Sequence, residues 1–193
     1  MRIRRAIEDD ALAIAAVHVR SWQTAYPGLI PQEYLDALRP EDRVAGWRQV
    51  LASTNWPRSG VLVLVDAPED GSERRSERGP VPEVVTGFCH TCPARDEDLD
   101  PATTAEVTTI YLAPEAWGSG NGVALLRASI AQMVDAGYET ASLWALSTNA
   151  RARRFYEVGG WRTDGVTKIH DWGSFVCTDV RYVLDLSTWN DSG

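Results

Sequence analysis

The sequence predicts an α/β (α+β) fold in one domain, with a mixed sheet of about seven strands flanked by helices. Short runs of β-branched and aromatic residues, which are typical of strands, alternate along the chain with longer segments of helical apolar period. Residues 106–156 follow the order strand, glycine-rich turn, helix, strand, helix. Two strands joined by a helix favour parallel pairing through a right-handed crossover. Because ligands of such sheets bind at the carboxyl ends of the strands, we expect a crevice between two parallel central strands.

The first third of the chain combines one strand with three helical segments. Residues 2–7 predict the first strand, and Asp9 or Asp10 can cap the helix that follows. Pro31 and Pro40 stand where helices take their first residue, and acidic residues follow each of them. The two helices that these prolines predict lie near 31–38 and 40–52.

The remaining elements follow from the same periods and from the glycine and proline positions. Gly137 is placed to end the helix after the glycine-rich turn. The polar segment 67–82 has no apolar period and predicts a solvated loop. We expect one domain over 1–186 and a flexible tail over 187–193. The other predicted elements are strands 61–66, 83–91 and 140–146, helices from Val123 and over 149–158, and a final hairpin within 174–186.

The composition favours a globular protein that neither binds nucleic acid nor crosses a membrane. Its 19 Lys and Arg residues against 27 Asp and Glu residues give a net charge of −8, and no basic run stands out. We therefore do not expect a surface that binds the phosphate backbone of a nucleic acid. The negative electrostatic field of the protein suits a cationic small molecule or peptide better. No stretch approaches the roughly 18 apolar residues of a membrane span.

The cysteines and the N-terminal residues favour a cytoplasmic protein without a metal site. Three cysteines are an odd number and do not form the disulfide framework of a small secreted domain. Acidic residues at 8–10 interrupt the apolar run after the first arginines, so we expect no export. Cys89 and Cys92 have the spacing of a zinc half-site, but no second Cys or His pair follows at a matching distance.

The glycine-rich turn Trp117–Gly122, with the sequence WGSGNG, predicts a phosphate-binding loop. Three glycines in five residues let the main chain approach a ligand closely, and successive N–H groups at a helix N-terminus favour an anion such as a pyrophosphate. An ordinary glycine-rich turn between strand and helix is the alternative, since such turns are common in α/β units.

A second motif makes the pattern specific. The turn follows a strand that ends in proline, and an Asn-x-x-Ala-x-x-x-Tyr helix starting at Asn149 ends in Gly-Gly-Trp161. Together these segments resemble the GNAT N-acetyltransferase superfamily, and the element order is similar from Arg2 to Leu186. Trp117 and Asn121 depart from the usual pattern, which has Arg or Gln and an aliphatic residue at these positions.

The resemblance implies acetyl-coenzyme A as the co-substrate and no metal. It implies that the turn holds the pyrophosphate, that the strand backbone at 110–112 pairs with the pantetheine arm, and that Asn149 contacts this arm while the small Ala152 leaves room for it. Two alternatives stay open. Asn149 can be a helix cap, and Arg151, Arg153 and Arg154 can be solvated residues or ligands of the 3′-phosphate. The implied cofactor residues are Ile110, Tyr111, Leu112, Trp117, Gly118, Ser119, Gly120, Asn121, Gly122, Val123, Asn149, Ala152 and Tyr156.

Transfer to an amine needs a proton donor and a proton acceptor. Tyr156 lies about two helical turns after Asn149 on the same side, and a phenol with a reference pKa of about 10 can protonate a departing thiolate. Its alternative is a buried aromatic residue. Glu106 is the predicted base, because in a regular strand it shares a face with Thr108 and Ile110, although a bulge changes that direction. Glu83, Asp171 and water are the other candidates.

The acceptor is predicted to be an amine-bearing small molecule or peptide. The resemblance places it beside the first helices, where Trp22 and Tyr26 can line its pocket and attract an ammonium through cation–π contact. The alternatives are a non-catalytic acyl-coenzyme A-binding or regulatory module and an enzyme that uses a longer acyl group. The oligomeric state, including a homodimer, stays open.

Overall fold

The computed structural model describes residues 1–66 and 83–189. The predicted polar loop at 67–82 and the last four residues of the predicted tail, 190–193, lie outside these described residues. No helix in the two described ranges combines the length and the apolar character that a membrane crossing requires.

The described chain forms one seven-stranded mixed sheet, which confirms the predicted fold class. Its strands are β1 (Arg2–Arg5), β2 (Gly60–Asp66), β3 (Val84–Pro93), β4 (Thr104–Leu112), β5 (Thr140–Leu146), β6 (Arg162–Asp171) and β7 (Val176–Asp185). They lie in the order β1-β2-β3-β4-β5-β7-β6. Every neighbouring pair is antiparallel except β4 and β5, which are parallel.

Helices cover both faces of this sheet. They are α1 (Ala11–Ala25), α2 (Gln32–Ala37), α3 (Glu41–Ala52), α4 (Asn121–Asp135) and α5 (Ala150–Val158). Val61, Val63 and Val65 of β2 pack in a cluster with α1 and α3, whereas Leu62 packs in the cluster that contains α4. Because successive strand residues point to opposite faces, the continuous apolar run of β2 is buried on both sides.

The starts of α1, α2 and α3 agree with the prediction, but the capping of α1 differs. Asp10 stands at the N-cap of α1, and its carboxylate makes no cap hydrogen bond to that helix. It accepts instead from the Ile7 N–H and from the Arg4 guanidinium, at 2.8 and 2.7 Å. Pro31 and Pro40 each lie one residue before their helix, which suits a residue without an N–H.

The C-terminal hairpin is larger than predicted. Residues 174–186 were expected to hold both strands, but this region supplies only β7, which pairs antiparallel with β6. β6 is the edge strand and is exposed along almost its whole length. Its sequence therefore has no apolar alternation, and the period that identifies half-buried strands is absent from it.

β4 and β5 separate partway along their length. Their pairing runs from Thr104↔Thr140 to Val107↔Leu143, while β4 continues to Leu112 and β5 to Leu146. The strand ends beyond these last partners enclose an opening, which we call the β4–β5 gap. It is the crevice that was predicted between two parallel central strands.

A bulge in β4 lies at the start of this gap. His90 of β3 is opposite Thr109, whereas the next β3 residue, Thr91, is opposite Val107. Thr108 is therefore the extra residue, and side-chain directions change on either side of it.

Candidate active site

The glycine-rich turn leads directly into α4. Gly118 and Gly120 both have φ of +80°, in the left-handed region, and Gly120 is the N-cap of the helix. An added Cβ at either position would meet no atom within 4 Å. Glycine is therefore required by the positive φ angle and not by a lack of space. The first N–H groups of a helix have no acceptor within it. This turn therefore presents free donors and a positive helix end to an anion.

Trp117 has a structural role in the position where the superfamily usually has Arg or Gln. Its indole Nε1–H donates to the Leu112 carbonyl at 2.9 Å, and the Arg151 guanidinium lies 4.2 Å from the centre of its ring. The Leu112 carbonyl also accepts from the Ser21 hydroxyl at 2.6 Å. Leu112 thus has its carbonyl occupied by the protein itself, and its N–H is the group left for a ligand.

The side chains of the turn also stabilise it internally. The Asn121 amide donates to the Ala116 carbonyl at 3.1 Å and to the Ser119 hydroxyl, and that hydroxyl donates to the same carbonyl at 3.2 Å. These bonds hold the turn against the residues before it, so the side chains of Ser119 and Asn121 stabilise the loop itself.

A cavity of about 390 Å³ extends from this turn into the β4–β5 gap. Among its lining residues are Tyr26 and most of the predicted cofactor residues: Ile110, Tyr111, Leu112, Trp117, Gly118, Gly120, Gly122, Val123, Asn149, Ala152 and Tyr156. Ser119 and Asn121 belong to the turn but do not line the cavity. Because β5 does not pair with β4 beyond Val107, the backbone there is open to β-augmentation by a ligand.

The α5 helix contributes three predicted residues to this cavity. Asn149 is buried, and its Oδ1 accepts from the Ala152 N–H at 3.0 Å, so it is the helix cap. The amide Nδ2 group remains as its donor toward the cavity. Arg151 also lines the cavity, whereas Arg153 donates to the Tyr182 hydroxyl and the Ser147 carbonyl, and Arg154 is exposed.

Tyr156 lies where α5 meets the core. Its ring packs against Phe155, Trp161 and Tyr182, and it is 9% exposed. Burial raises the pKa of Tyr156 well above its usual value, and the nearby Tyr111 and Cys89 raise it further. The phenol therefore keeps its proton at neutral pH, as a general acid must.

A second cavity of about 460 Å³ adjoins the first. α1, α3 and the β6–β7 hairpin contribute to its wall, and Trp22 lines it together with Glu106. Six residues line both cavities and form the boundary between them: Tyr26, Thr108, Thr109, Tyr111, Trp144 and Leu146. At this boundary the hydroxyls of Tyr26 and Tyr111 lie 3.4 Å apart. Two ligands in the two cavities would meet here.

Glu106 has different neighbours from those predicted. Val107 and Ile110 belong to the core cluster around α4, three positions apart because of the bulge, so Glu106 does not share a face with Ile110 and that expectation is wrong. The Glu106 side chain faces the second cavity, is 3% exposed, and accepts two bonds from Arg95 at 2.9 and 2.5 Å. If Glu106 acts as a base, its carboxylate must accept the proton while it is hydrogen-bonded to the Arg95 guanidinium.

The other two carboxylates considered from the sequence lie outside both cavities. Glu83 pairs with Arg2 and Arg4 at the opposite side of the sheet. Asp171 accepts from the Gly173 N–H in the β6–β7 turn, at 2.8 Å. Neither side chain lines the first or the second cavity.

The sequence analysis missed a histidine–aspartate pair in the second cavity. His170 of β6 and Asp179 of β7 both line the cavity, and the His170 Nδ1 lies 2.7 Å from the Asp179 carboxylate. Asp179 is opposite Leu146, a boundary residue, in the pairing of β5 with β7. The pair could have been predicted if β6 had been recognised as a strand that pairs with β7.

The cysteines show no metal-site arrangement. Cys89 and Cys92 both lie in β3, and all three cysteines have free thiols. Among the residues that the structure describes, no group of three or more His, Cys, Asp or Glu side chains is placed to hold a metal ion.

Comparisons with known proteins agree with this geometry. The model of the Acetyltransferase (GNAT) family matches residues 29–160. The Bacillus subtilis protein described as uncharacterized N-acetyltransferase YuaI is 30% identical over 147 residues, which cover 76% of this chain and 72% of that protein.

Solved structures show the same fold. The PaiA N-acetyltransferase of Thermoplasma acidophilum in complex with coenzyme A superposes with a TM-score of 0.66 at 18% identity, covering 95% of this chain and 98% of that one. YncA of Salmonella typhimurium with its cofactor acetyl-CoA gives 0.64 at 20% identity, covering 100% and 98%.

The chain belongs to the acetyltransferase (GNAT) family. It is an acetyl-CoA-dependent N-acetyltransferase, and its own residues fit that co-substrate. The turn with two left-handed glycines fits a pyrophosphate, and the edge of β4 that β5 leaves unpaired beyond Val107 fits the amide-bearing pantetheine arm.

Proposed function

We propose that this protein moves an acetyl group from acetyl-CoA directly to a primary amine of a small molecule or peptide, held in the second cavity. The observation that supports this most is the shared boundary of the two cavities at the β4–β5 gap. Placing a thioester and an amine on either side of this boundary would supply most of the rate enhancement by proximity and orientation.

The residues of the first cavity have distinct proposed roles. The backbone of Trp117–Gly122 and Val123 holds the pyrophosphate, the β4 backbone at 110–112 holds the pantetheine arm, and the Asn149 amide donates to that arm. Acetyl-CoA supplies the activated thioester. Tyr156 protonates the sulfur as the C–S bond breaks, and its buried hydroxyl is suited to this because it stays protonated.

Two groups are proposed to take the proton that the attacking ammonium must lose. Glu106, the base predicted from the sequence, faces the second cavity but has both oxygens engaged by Arg95. His170 is better placed for proton transfer. In the tautomer of His170 that donates its Nδ1–H to the Asp179 carboxylate, the Nε2 lone pair is the one that can accept a proton. We favour His170, with Asp179 as the residue that orients it.

Replacing each candidate base should give different pH profiles. His170→Asn should lower kcat/KM about 100-fold at pH 7, and the loss should shrink as the pH rises, because more of the amine is then already deprotonated in solution. Glu106→Gln should lower kcat/KM with no such recovery. Initial rates of thiol release from pH 6.5 to 9.5 measure both, and recovery in the Glu106 variant alone would make Glu106 the base.

The main experiment for the proposed function combines binding with turnover. Calorimetry measures coenzyme A binding, and free-thiol release measures acetyl transfer to aminoglycosides, polyamines, amino acids and peptide N-termini. Tight binding without thiol release to any amine would favour the non-catalytic module. Product mass spectrometry with longer acyl-CoA thioesters distinguishes acetyl transfer from transfer of a larger group, and size-exclusion chromatography with light scattering tests the homodimer.

A further inference from the structure

The second cavity contains an arginine that has no counter-ion among the residues that the structure describes. Arg43 lies in the first turn of α3, is partly buried, and lines the cavity wall. Its guanidinium carbon lies 5.3 Å from the centre of the Trp22 ring. Within 1–66 and 83–189, no carboxylate forms an ion pair with it, including its chain neighbours Glu41 and Asp42.

The other charged groups of this cavity are already matched. Glu106 pairs with Arg95, Asp96 lies 3.9 Å from the Lys168 ammonium and also bonds Arg181, and Asp179 bonds His170. A partly buried cation without a partner is costly, whereas each of these pairs offsets its own desolvation. Arg43 is thus the one cation among the described lining residues that no carboxylate pairs with.

The immediate surroundings of Arg43 do not neutralise it. His18 lines the same wall, stacked on Tyr111 at 5.0 Å between ring centres, and is buried. Burial, together with the charge of Arg43, lowers the pKa of His18 to about 3. His18 is therefore neutral at physiological pH and adds no charge to this wall. This side of the cavity attracts an anion.

The His170 end of the cavity suits an amine. Trp22, which contacts Arg43, also lies 5.8 Å from Trp172 between ring centres, and Trp172 lies 5.7 Å from His170. The same aromatic wall thus connects the unmatched guanidinium with the His170–Asp179 pair. A ligand that lies along this wall would meet a positive group at one end and a proton acceptor at the other.

We infer that the acceptor is an amphoteric small molecule, a primary amine that also carries a carboxylate or another oxyanion, with Arg43 binding the anionic group. This inference rests on the proposed function, because it places the amine of that reaction at the His170 end. A guanidinium binds carboxylates and other oxyanions through paired N–H donors, so amino acids whose reacting amine is several bonds from the carboxylate, and the corresponding aminoalkyl phosphonates and sulfonates, share the chemistry that Arg43 recognises.

Matched substrates test the role of the anionic group. Thiol release is measured for a panel of L-amino acids, for the corresponding amino acid amides, and for aminoalkyl phosphonates and sulfonates of similar length. The amide keeps the amine and the side chain but removes the negative charge. We expect the wild type to favour the acid over its amide by about 10- to 100-fold in kcat/KM, the range of a charge-assisted contact. The phosphonates and sulfonates show which oxyanion fits best.

Variants of α3 assign that preference to Arg43. Arg43→Gln should raise KM for the acid about 10- to 100-fold, leave KM for acetyl-CoA unchanged, and leave the amide almost unaffected. Arg43→Lys should retain part of the preference. Arg48→Gln is the matched control, because Arg48 is exposed on the same helix and lines neither cavity.

The outcomes separate this inference from the proposed function. Equal turnover of acids and amides, or an equal loss for both in Arg43→Gln, would overturn the amphoteric acceptor and leave amine acetylation intact. If no amine releases thiol, the proposed function fails, and calorimetric titration of the coenzyme A complex with the acids still decides the role of Arg43. Binding that weakens in Arg43→Gln supports the anion site, and binding that does not weaken, or no binding at all, refutes it.

Discussion

Gly120→Val should lower the affinity for coenzyme A by at least about 100-fold. Gly120 has φ of +80°, a conformation that costs an L-residue roughly 1–2 kcal/mol and is worst for a β-branched one. Valine would relieve this strain by turning the peptide units on either side. The N–H groups proposed to bind the pyrophosphate would then point elsewhere, and a helix-end anion site depends on their common direction. Isothermal titration calorimetry with coenzyme A measures the effect.

Gly137→Val is the matched control for this prediction. Gly137 follows the other end of α4, has φ of +81°, and an added Cβ there also meets no atom within 4 Å. Both variants should therefore lose a similar free energy of unfolding in urea, while only Gly120→Val loses coenzyme A affinity. An unaltered dissociation constant in Gly120→Val, or an equal loss in Gly137→Val, would exclude the turn as the pyrophosphate site.

Tyr156→Phe should lower kcat by about 100-fold or more, which is the range for loss of a general acid. The phenylalanine ring keeps the packing against Phe155 and Trp161, so the cavity keeps its shape. Only the proton for the departing sulfur is lost. The dissociation constant of coenzyme A and KM for acetyl-CoA should change little, and steady-state kinetics together with calorimetry measure the two effects separately.

Tyr182→Phe provides the corresponding control. Tyr182 is fully buried, its ring centre lies 6.1 Å from that of Tyr156, and its hydroxyl donates to Glu157 and accepts from Arg153. It lines neither cavity, so loss of its hydroxyl should reduce stability and leave turnover near the wild-type value. Equal kcat for Tyr156→Phe and the wild type would remove Tyr156 as the acid.

Local sequence patterns were sufficient to predict the fold and the glycine-rich turn. Each of these patterns reflects a local property of its own segment. The apolar run of β2 reflects burial on two faces, the period of α4 reflects a helix with one buried face, and the glycines at 118 and 120 reflect a left-handed backbone. β6 could not be found in this way because an exposed edge strand has no apolar period to detect. The error at the C-terminal hairpin follows from that.

The second cavity depends on contacts between distant segments, which local patterns do not report. His170 meets Asp179 only through the pairing of β6 with β7, and Glu106 meets Arg95 across a turn. The direction of Glu106 depends on a single extra residue, Thr108, which no residue type signals. The unmatched charge of Arg43 is visible only once the other charged side chains have been assigned to their partners.

The early end of the β4–β5 pairing also affects the order in which ligands can bind. A sheet that stayed closed to Leu146 would separate the two cavities completely. Because the strands part after Val107, two ligands in the two cavities could be bound at the same time, and neither would have to leave before the other arrives. Under the proposed function such a site would assemble a ternary complex, and the acetyl group would pass between two bound molecules without being stored on the protein.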